Sequence, residues 1–289
     1  MQTTPTPLTT EVSDAVQKRE IPSLLKRSVT LMKPITWFAP MWAFLCGAVA
    51  SGAVSWSFAD VTRVSLGIVM AGPVLCGLSQ VFNDYFDRDI DAVNEPHRLI
   101  PSGLVSIRQV FTTILILFLL GVGLGFYLGL PVAICVLLGT FLGVLYSAPP
   151  VRAKQNGWIG NGLVAISYEG LAWLAGHLAF AALTPASLTV AILFSIGAHG
   201  IMSINDYKGI EGDRAGGIRT IPVQLGPVNA AKLIVGTMLF AQICVVIALF
   251  VWGLWITPLV IIGLIGLQIP VQRKFLSDPT ENYLHFSAV

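Results

Sequence analysis

Long apolar runs separated by short polar connections make up most of the chain. A helix needs about 20 apolar residues to cross a hydrocarbon core of ~30 Å, and these runs are continuous rather than alternating, which argues against a transmembrane barrel. The pattern predicts an all-α, polytopic membrane helix bundle with eight visible spans. They cover 35–56, 61–82, 109–129, 131–147, 158–181, 186–205, 228–250 and 254–271.

The two ends of the chain differ from this pattern. Residues 1–20 are polar and without an apolar core, which predicts a flexible tail. Residues 21–34 mix Lys and Arg with Leu and Val, which predicts a basic amphipathic helix on the membrane surface. A new apolar run starts at Tyr283 and predicts either the start of a ninth span or a surface segment. Residues 21–289 are expected to form one transmembrane domain.

The first polar motif, residues 83–91, follows the second predicted span. Asn83, Asp87 and Asp91 stand at positions i, i+4 and i+8, which share one face of a helix. Carboxylates on one face repel each other, so stability alone disfavours the arrangement. A hard cation reverses that effect, because Mg²⁺ prefers oxygen ligands and accepts waters and substrate phosphates in its shell. The motif therefore predicts a site for Mg²⁺ and a diphosphate.

A second motif repeats the first after the sixth predicted span. Residues 205–207 repeat the Asn-Asp-Tyr of residues 83–85, and Asp213 has the offset that Asp91 has in the first copy. The middle position differs, because Gly209 stands where the first copy has an Asp. Two solvated surface loops would not share these offsets. The copies, four spans apart, predict a bundle built as a duplicated four-helix unit with a two-part site.

Charge placement predicts that the two motifs meet. Of 17 Lys and Arg residues, all but Arg63 lie in the N-terminal region, in the even-numbered connections or, for Lys232, in the first two turns of the seventh span. The positive-inside rule assigns this face to the cytoplasm. The two motifs and residues 149–154 lie in connections on that same face. The net charge of +2 is too small to favour nucleic acid as a partner.

The even-numbered connections supply the groups that a metal-bridged diphosphate needs. Acids and amides hold Mg²⁺, Lys and Arg hold the remaining phosphate oxygens, and the apolar bundle beneath offers room for an isoprenoid tail. The allylic C–O bond can then ionise, since the cations stabilise the leaving diphosphate. The candidate metal ligands are Asn83, Asp87, Asp91, Asp206, Glu211 and Asp213, and the candidate diphosphate ligands are Arg88, Arg98, Lys154, Lys208 and Arg214.

Several residues within the predicted spans are weaker candidates for the acceptor site or the cavity lining. Tyr146 and Tyr168 could line the path of an allylic cation, although lipid-facing or core packing is the simpler explanation for an aromatic residue here. Glu169 lies well inside a predicted span, where a charge is costly and often functional, and the alternative is a protonated or paired structural Glu.

The motifs Asn83-x-x-x-Asp87-x-x-x-Asp91, the second motif ending in Asp213, and Tyr146-Ser-x-Pro-Pro resemble the UbiA superfamily of intramembrane prenyltransferases. Within it, Ile210-Glu-Gly-Asp-Arg and Pro149-Pro150 resemble the chlorophyll synthase branch, and most of all the bacteriochlorophyll synthases of purple photosynthetic bacteria. The resemblance covers nearly the whole chain after residue 25.

This resemblance implies a nine-helix bundle with a cap over a central cavity in an inner (cytoplasmic or intracytoplasmic) membrane, with the active site facing the cytoplasm. It implies Mg²⁺-dependent transfer of a geranylgeranyl or phytyl group from its diphosphate to the propionate of a (bacterio)chlorophyllide. Asn83, Asp87 and Asp91 become first-site catalytic residues and Asp213 a second-site one. Gly209 departs from the Asp of many relatives, so that Asp206 or Glu211 is expected to substitute.

The resemblance also leaves alternatives. His177 or His199 could ligate the magnesium of a chlorin ring, or each could be a hydrogen-bonded packing residue. The acceptor could instead be a quinone precursor or haem. A cation transporter is less favoured, because transporters usually hold polar groups near the membrane midplane and these acids cluster at one face. Association with other pigment-biosynthesis or light-harvesting assembly proteins is a further expectation.

Overall fold

The computed structural model is a helical bundle and describes residues 23–288, so the predicted tail at 1–20 lies outside the described residues. Its α-helices are α1 (Leu24–Leu31), α2 (Phe38–Ala50), α3 (Phe58–Val69), α4 (Gly77–Asn94), α5 (Ile107–Leu128), α6 (Leu130–Ser147), α7 (Gly157–Ala165), α8 (Ala172–Leu178), α9 (Pro185–Met202), α10 (Ile210–Ala215), α11 (Ile221–Leu225), α12 (Pro227–Val251), α13 (Ile256–Ser277) and α14 (Pro279–Ala288). The predicted all-α membrane bundle is confirmed.

Each predicted span coincides with a helical segment, but the number that meets a spanning criterion is smaller. Within residues 23–288, six helices are long and apolar enough to cross a membrane by length and composition. They are Phe58–Asn94, Ile107–Leu128, Leu130–Ser147, Pro185–Ala215, Pro227–Val251 and Ile256–Ser277. The helix α2 has only 13 residues, and the α7–α8 segment contains the polar Asn161, Glu169 and His177. The duplicated four-helix unit stays a prediction.

Two long helices contain π-helical turns that face the interior. Residues Met70–Cys76 join α3 to α4 and contain Pro73, and Ile166–Leu171 join α7 to α8. Proline lacks the N–H that an α-helix needs in its interior, and a wider turn absorbs that loss. The first join produces a continuous helix of 37 residues that carries the first motif on its last turns. We call Phe58–Asn94 the α3–α4 rod and Gly157–Leu178 the α7–α8 rod.

Glycines allow α2 and α8 to pack backbone to backbone. A Cβ atom on Gly47 would lie 2.0 Å from the carbonyl oxygen of Trp173, and one on Gly176 would lie 2.0 Å from the carbonyl oxygen of Phe44. Small residues let membrane helices approach this closely and gain dispersion contacts. The contact brings α2 against the α7–α8 rod and closes one side of the interior.

Arg63, the one cation that the charge pattern assigns to the opposite face, has a structural position. Its Nη2 donates to the carbonyl oxygens of Leu128 (3.1 Å) and Ala179 (2.5 Å), and its guanidinium lies 5.4 Å from the ring centroid of Phe180. These carbonyls end α5 and α8, where backbone acceptors lack helical partners and a cation is favoured. Arg63 therefore ties three helix ends together.

The apolar run at Tyr283 forms the second part of α14, which starts at Pro279 and packs back against α13. The ring of Phe286 stacks on Phe275 with centroids 4.6 Å apart, and the ring of Tyr283 stacks on Tyr207 at 6.0 Å. Because Tyr207 belongs to the second motif, this packing holds that motif against α14.

Candidate functional site

A mostly apolar cavity lies between α2, the α3–α4 rod, α6 and the α7–α8 rod. The empty space within it, including the part that is open to solvent, is about 860 Å³. Phe82, Tyr146 and Ser147 line one end, next to the first motif. We call the end of the bundle that holds residues 83–91 and 205–213 the motif end.

The first motif presents its acids along one face of α4. Asp87 pairs with two cations from the segment after α6: Arg152 Nη2 donates to Asp87 Oδ1 at 2.7 Å, and Lys154 Nζ donates to the same oxygen. The pKa of Lys154 lies below its usual value, because burial disfavours the charged ammonium and the Asp87 carboxylate offsets only part of that cost. Arg152, absent from the predicted ligand set, is thus part of the site.

Asp84 and Asp91 form a second ion-pair group on the same face. Lys33 Nζ donates to Asp84 Oδ1 at 2.6 Å, and Arg98 Nη1 lies 2.8 Å from Asp91 Oδ2 and 3.7 Å from Asp84 Oδ1. Neither Asp84 nor Lys33 is in the predicted ligand set. The seven-residue spacing of Asp84 and Asp91, two turns of helix, was a usable signal for the acid, whereas no local pattern marks Lys33.

Lys33 reaches the site from outside the bundle. The predicted surface helix over 21–34 is shorter than expected, because α1 ends at Leu31 and Lys33 adopts a left-handed backbone with φ 47° before a 3₁₀ turn at Pro34–Thr36. This turn directs the chain into α2 and sends the Lys33 side chain to Asp84.

The second motif has a different local structure despite its matching spacing. After α9 the chain continues as a 3₁₀ helix, Ser203–Gly209, and then as the short α10. Asn161 of α7 donates through Nδ2 to Asp206 Oδ2 and to Ser203 Oγ, each at 3.1 Å. A Cβ atom on Gly209 would lie 3.6 Å from both carboxylate oxygens of Asp213. An Asp at this position would therefore stand beside Asp213.

Asp206 is the acid that the structure brings to Asp213. The charges of these two carboxylates interact, and Lys208 is near enough to act on both. Glu211 lies exposed on α10, as does Arg214. Of the two expected substitutes for the missing Asp, Asp206 lies within charge–charge range of Asp213, whereas Glu211 points to solvent.

Backbone contacts join the segments that carry the two motifs. Gly157 N donates to Arg219 O at 2.9 Å and Arg219 N to Gln155 O at 2.8 Å, which links the Arg152–Lys154 segment to the chain after α10. Tyr146, at the top of the cavity, lies within electrostatic range of the carboxylates of Asp87 and Asp206. The two motifs thus flank the same cavity mouth, in line with the charge pattern.

Arg88 is a predicted diphosphate ligand that the structure turns away from this mouth. Its guanidinium lies 4.5 Å from the ring centroid of Tyr85, Nη1 donates to Tyr85 O at 2.9 Å, and Nη2 lies 3.7 Å from Asp89 Oδ2. Because residues one and two positions from Asp87 point to other faces of the helix, Arg88 lies with Tyr85 against α5.

Tyr146 and Tyr168 line the cavity as predicted. The hydroxyl of Tyr168 bonds Ser79 Oγ at 2.8 Å and accepts from Gln80 Nε2 at 3.2 Å. Gln80 stands one turn before the first motif. This network places hydrogen-bonded polar groups at the wall of a largely apolar cavity.

Glu169, His177 and His199 do not line this cavity. Glu169 is buried, and its Oε2 lacks a hydrogen-bond partner among the described residues. His177 pairs through Nε2 with Ala182 O at 3.1 Å near the end opposite the motifs. His199 pairs with Trp158 O at 3.2 Å and stacks on that ring, beside a separate lateral groove between the α7–α8 rod and α9. The two histidines thus have packing contacts.

The donor chemistry of the cavity mouth fits Mg²⁺. Within residues 23–288, no three Asp, Glu, His or Cys side chains converge as a ready-made metal cage, since the acids pair with cations. Mg²⁺ does not require such a cage, because it is usually bound by one or two carboxylates together with waters and substrate phosphates. Carboxylate and amide oxygens at Asn83, Asp87, Asp91, Asp206 and Asp213 are ligands of that kind.

Comparisons with known proteins agree with this geometry. Residues 30–285 match the model of the UbiA prenyltransferase family. The chain is 55% identical over 264 residues to the bacteriochlorophyll synthase 34 kDa chain of Chloroflexus aurantiacus, covering 91% of this chain and 85% of that protein. It is 41% identical over 274 residues to the chloroplastic chlorophyll synthase of Avena sativa, covering 92% and 72%.

The fold also has a counterpart among solved structures. A UbiA homologue from Archaeoglobus fulgidus, solved with DMAPP and Mg²⁺ bound, superposes with a TM-score of 0.69 at 19% identity, covering 91% of this chain and 95% of that one. At this identity the likeness concerns the fold. The predicted resemblance to the UbiA family and to its chlorophyll synthase branch is confirmed.

Proposed function

The chain belongs to the UbiA prenyltransferase family, and on that basis we propose that it transfers a geranylgeranyl or phytyl group from its diphosphate to the propionate carboxylate of bacteriochlorophyllide, forming the esterified bacteriochlorophyll. One observation carries the proposal: two acidic motifs, each with cations close by, flank the mouth of one apolar cavity. The extent of identity to bacteriochlorophyll and chlorophyll synthases supports this choice of acceptor.

The acids and cations of the mouth divide the work of holding the diphosphate. Asn83, Asp87 and Asp91 on one side, with Asp206 and Asp213 on the other, would hold Mg²⁺, which supplies positive charge to the leaving diphosphate. With these carboxylates engaged by the metal, the cations that now pair with them would be free to bind phosphate oxygens by charge-assisted hydrogen bonds. Those partners are Arg98, Arg152 and Lys154. Lys33, which pairs with Asp84 on the same face of α4, is a fourth cation at the mouth.

The reaction then breaks the allylic C–O bond, and its electron pair leaves with the diphosphate. A propionate oxygen attacks the allylic carbon and forms the ester. The propionate is already ionised near neutral pH, so no base has to remove a proton. The rings of Tyr146 and Tyr168 face the cavity and can stabilise the allylic cation, while the apolar walls exclude water.

The protein is an integral membrane protein, and we propose that its motif end faces the cytoplasm in an inner or intracytoplasmic membrane. The excess of Lys and Arg at the motif end, with Arg63 at the opposite end, supports this orientation. Association with other pigment-biosynthesis or light-harvesting assembly proteins stays a prediction.

The test is a synthesis assay with an internal control on the same helix. Membranes containing the full chain receive bacteriochlorophyllide, geranylgeranyl diphosphate and Mg²⁺, and the ester is quantified by chromatography. We expect Asp87→Ala to lower the rate about 10²-fold or more, because it removes charge stabilisation at the leaving group, and EDTA to abolish it. Asp89→Ala, an exposed acid on another face of α4, should keep the wild-type rate.

Three outcomes would contradict parts of this proposal. Absence of ester from folded protein with both chlorin and bacteriochlorin acceptors rejects the acceptor and directs the search to quinone precursors or haem. An ester yield unchanged by Asp87→Ala rejects the role of the first motif. Movement of cations across the membrane without any prenyl transfer would favour the transporter alternative.

A further inference from the structure

The cavity below the two motifs ends at the same depth on three helices. Its deepest lining residues are Met70 on the α3–α4 rod, Cys135 on α6 and Ala175 on α8. The lining on these helices begins near the motif end at Phe82, Ser147 and Leu163. On each helix about twelve residues separate the two ends, which at 1.5 Å per residue gives a depth of roughly 18 Å.

A packed core closes the cavity beneath this depth. Phe44 is fully buried and contacts a cluster that includes Val64, Leu128 and Val132. The ring of Phe44 fills the space beside Gly67, where an added Cβ would lie 1.9 Å from Phe44 Cζ. Gly67 stands one turn below Met70, so the ring blocks the cavity directly under the Met70 side chain.

We propose that Met70, backed by the ring of Phe44, is a specificity-determining residue that sets the longest prenyl chain the cavity accepts. The inference rests on the proposed function, in which the diphosphate lies at the two motifs and the tail descends into the cavity. A depth of roughly 18 Å corresponds to an extended chain of four isoprene units. A fifth unit would have to displace Met70.

The neighbours of Met70 explain why this residue, rather than the floor as a whole, sets the limit. Ala71, Ala172 and Ala175 present only methyl groups to the lower cavity, whereas Met70 is a long side chain with 1% of its surface exposed. Truncating it therefore opens space, and enlarging Ala175 opposite it removes space. The two changes should shift the preferred chain length in opposite directions.

The first experiment uses the unmodified full chain and a series of donors. Rates are measured with Mg²⁺, a fixed acceptor, and allylic diphosphates of three, four and five isoprene units. We expect kcat/KM to fall by about tenfold or more from four to five units, because one group too many for a closed apolar pocket costs at least that factor. Equal kcat/KM for four and five units would overturn the proposal without any variant.

The second experiment compares ratios within each variant, so that a change in the amount of folded protein cancels. Met70→Ala should raise the five-to-four-unit ratio of kcat/KM about tenfold. Ala175→Leu should lower the four-to-three-unit ratio by a similar factor. Leu138→Ala, on the outward face of α6 near the depth of Cys135, should leave both ratios unchanged. Unchanged ratios in both cavity variants would overturn the role of the floor.

A binding measurement separates this inference from the acceptor assignment. Thiolodiphosphate analogues of the same donors, which do not react, are added with Mg²⁺ and the shift in Tm of the full chain is recorded. Stabilisation that rises up to four units and falls at five supports the length limit even if no bacteriochlorophyllide ester forms. Stabilisation that keeps rising with chain length contradicts it, whatever the acceptor assay gives.

Discussion

At the scale of single residues, the site is a set of exchangeable ion pairs. Asp84, Asp87 and Asp91 are each held by a Lys or Arg, and together these contacts neutralise a helix face that would otherwise repel itself. In the proposed function such a face would open to a metal and a diphosphate, and each released cation would bind a phosphate oxygen. The pairing explains how acids at this spacing persist at the end of an apolar helix.

Lys33 provides a test of that exchange. We expect Lys33→Ala to raise the KM for the prenyl diphosphate and to lower kcat/KM about tenfold to hundredfold, because a hydrogen bond to a charged group contributes about 1.5–3 kcal/mol. Lys26→Ala, an exposed lysine on α1, is the matched control and should have no effect. Equal KM values for the two variants, from steady-state rates at varied donor, would remove Lys33 from the site.

At the scale of elements, the glycine contact between α2 and α8 holds two cavity walls together. The two motifs, in contrast, differ in their local structure. The first motif continues a regular α-helix, whereas the second breaks into 3₁₀ and short α segments. The break turns Asp206 toward Asn161 and brings Asp213 near it. Equal spacing in sequence therefore produces two different half-sites.

The α2–α8 contact predicts that Ala substitutions at two glycines change the stability of the protein by different amounts. Gly176→Ala should lower the free energy of unfolding by about 1–3 kcal/mol, because the new methyl group would overlap a backbone carbonyl that cannot move aside cheaply. Gly123→Ala, on α5 with open space around the added Cβ, should be neutral or slightly stabilising. Thermal unfolding in detergent measures both, and equal Tm values would contradict the packing argument.

At the scale of the whole molecule, the two ends of the helix bundle differ in their charged residues. The motif end carries the acids of both motifs with their Lys and Arg partners, and at the other end Arg63 ties helix termini together. This asymmetry predicts the orientation in the membrane.

Cysteine labelling in sealed vesicles of known sidedness tests that orientation. Glu211→Cys, exposed at the motif end, should react with a membrane-impermeant maleimide from the cytoplasmic face alone. Ala53→Cys, exposed at the opposite end, should react from the other face. The wild-type chain, with Cys76 and Cys135 buried and Cys46 and Cys244 partly so, measures the background. The reverse labelling pattern would overturn the proposed orientation.

Local patterns in the sequence were sufficient for the helices, the two motifs and the family, because helix periodicity, apolar length and motif spacing are properties of neighbouring residues. Packing over long distances along the chain was needed for the rest. It pairs Asp87 with Arg152 and Lys154, places Arg88 against Tyr85, brings Asp206 near Asp213, and puts Met70 at the deep end of the cavity. These contacts join residues from separate helices, and their geometry depends on how π turns, glycines and 3₁₀ segments orient each helix.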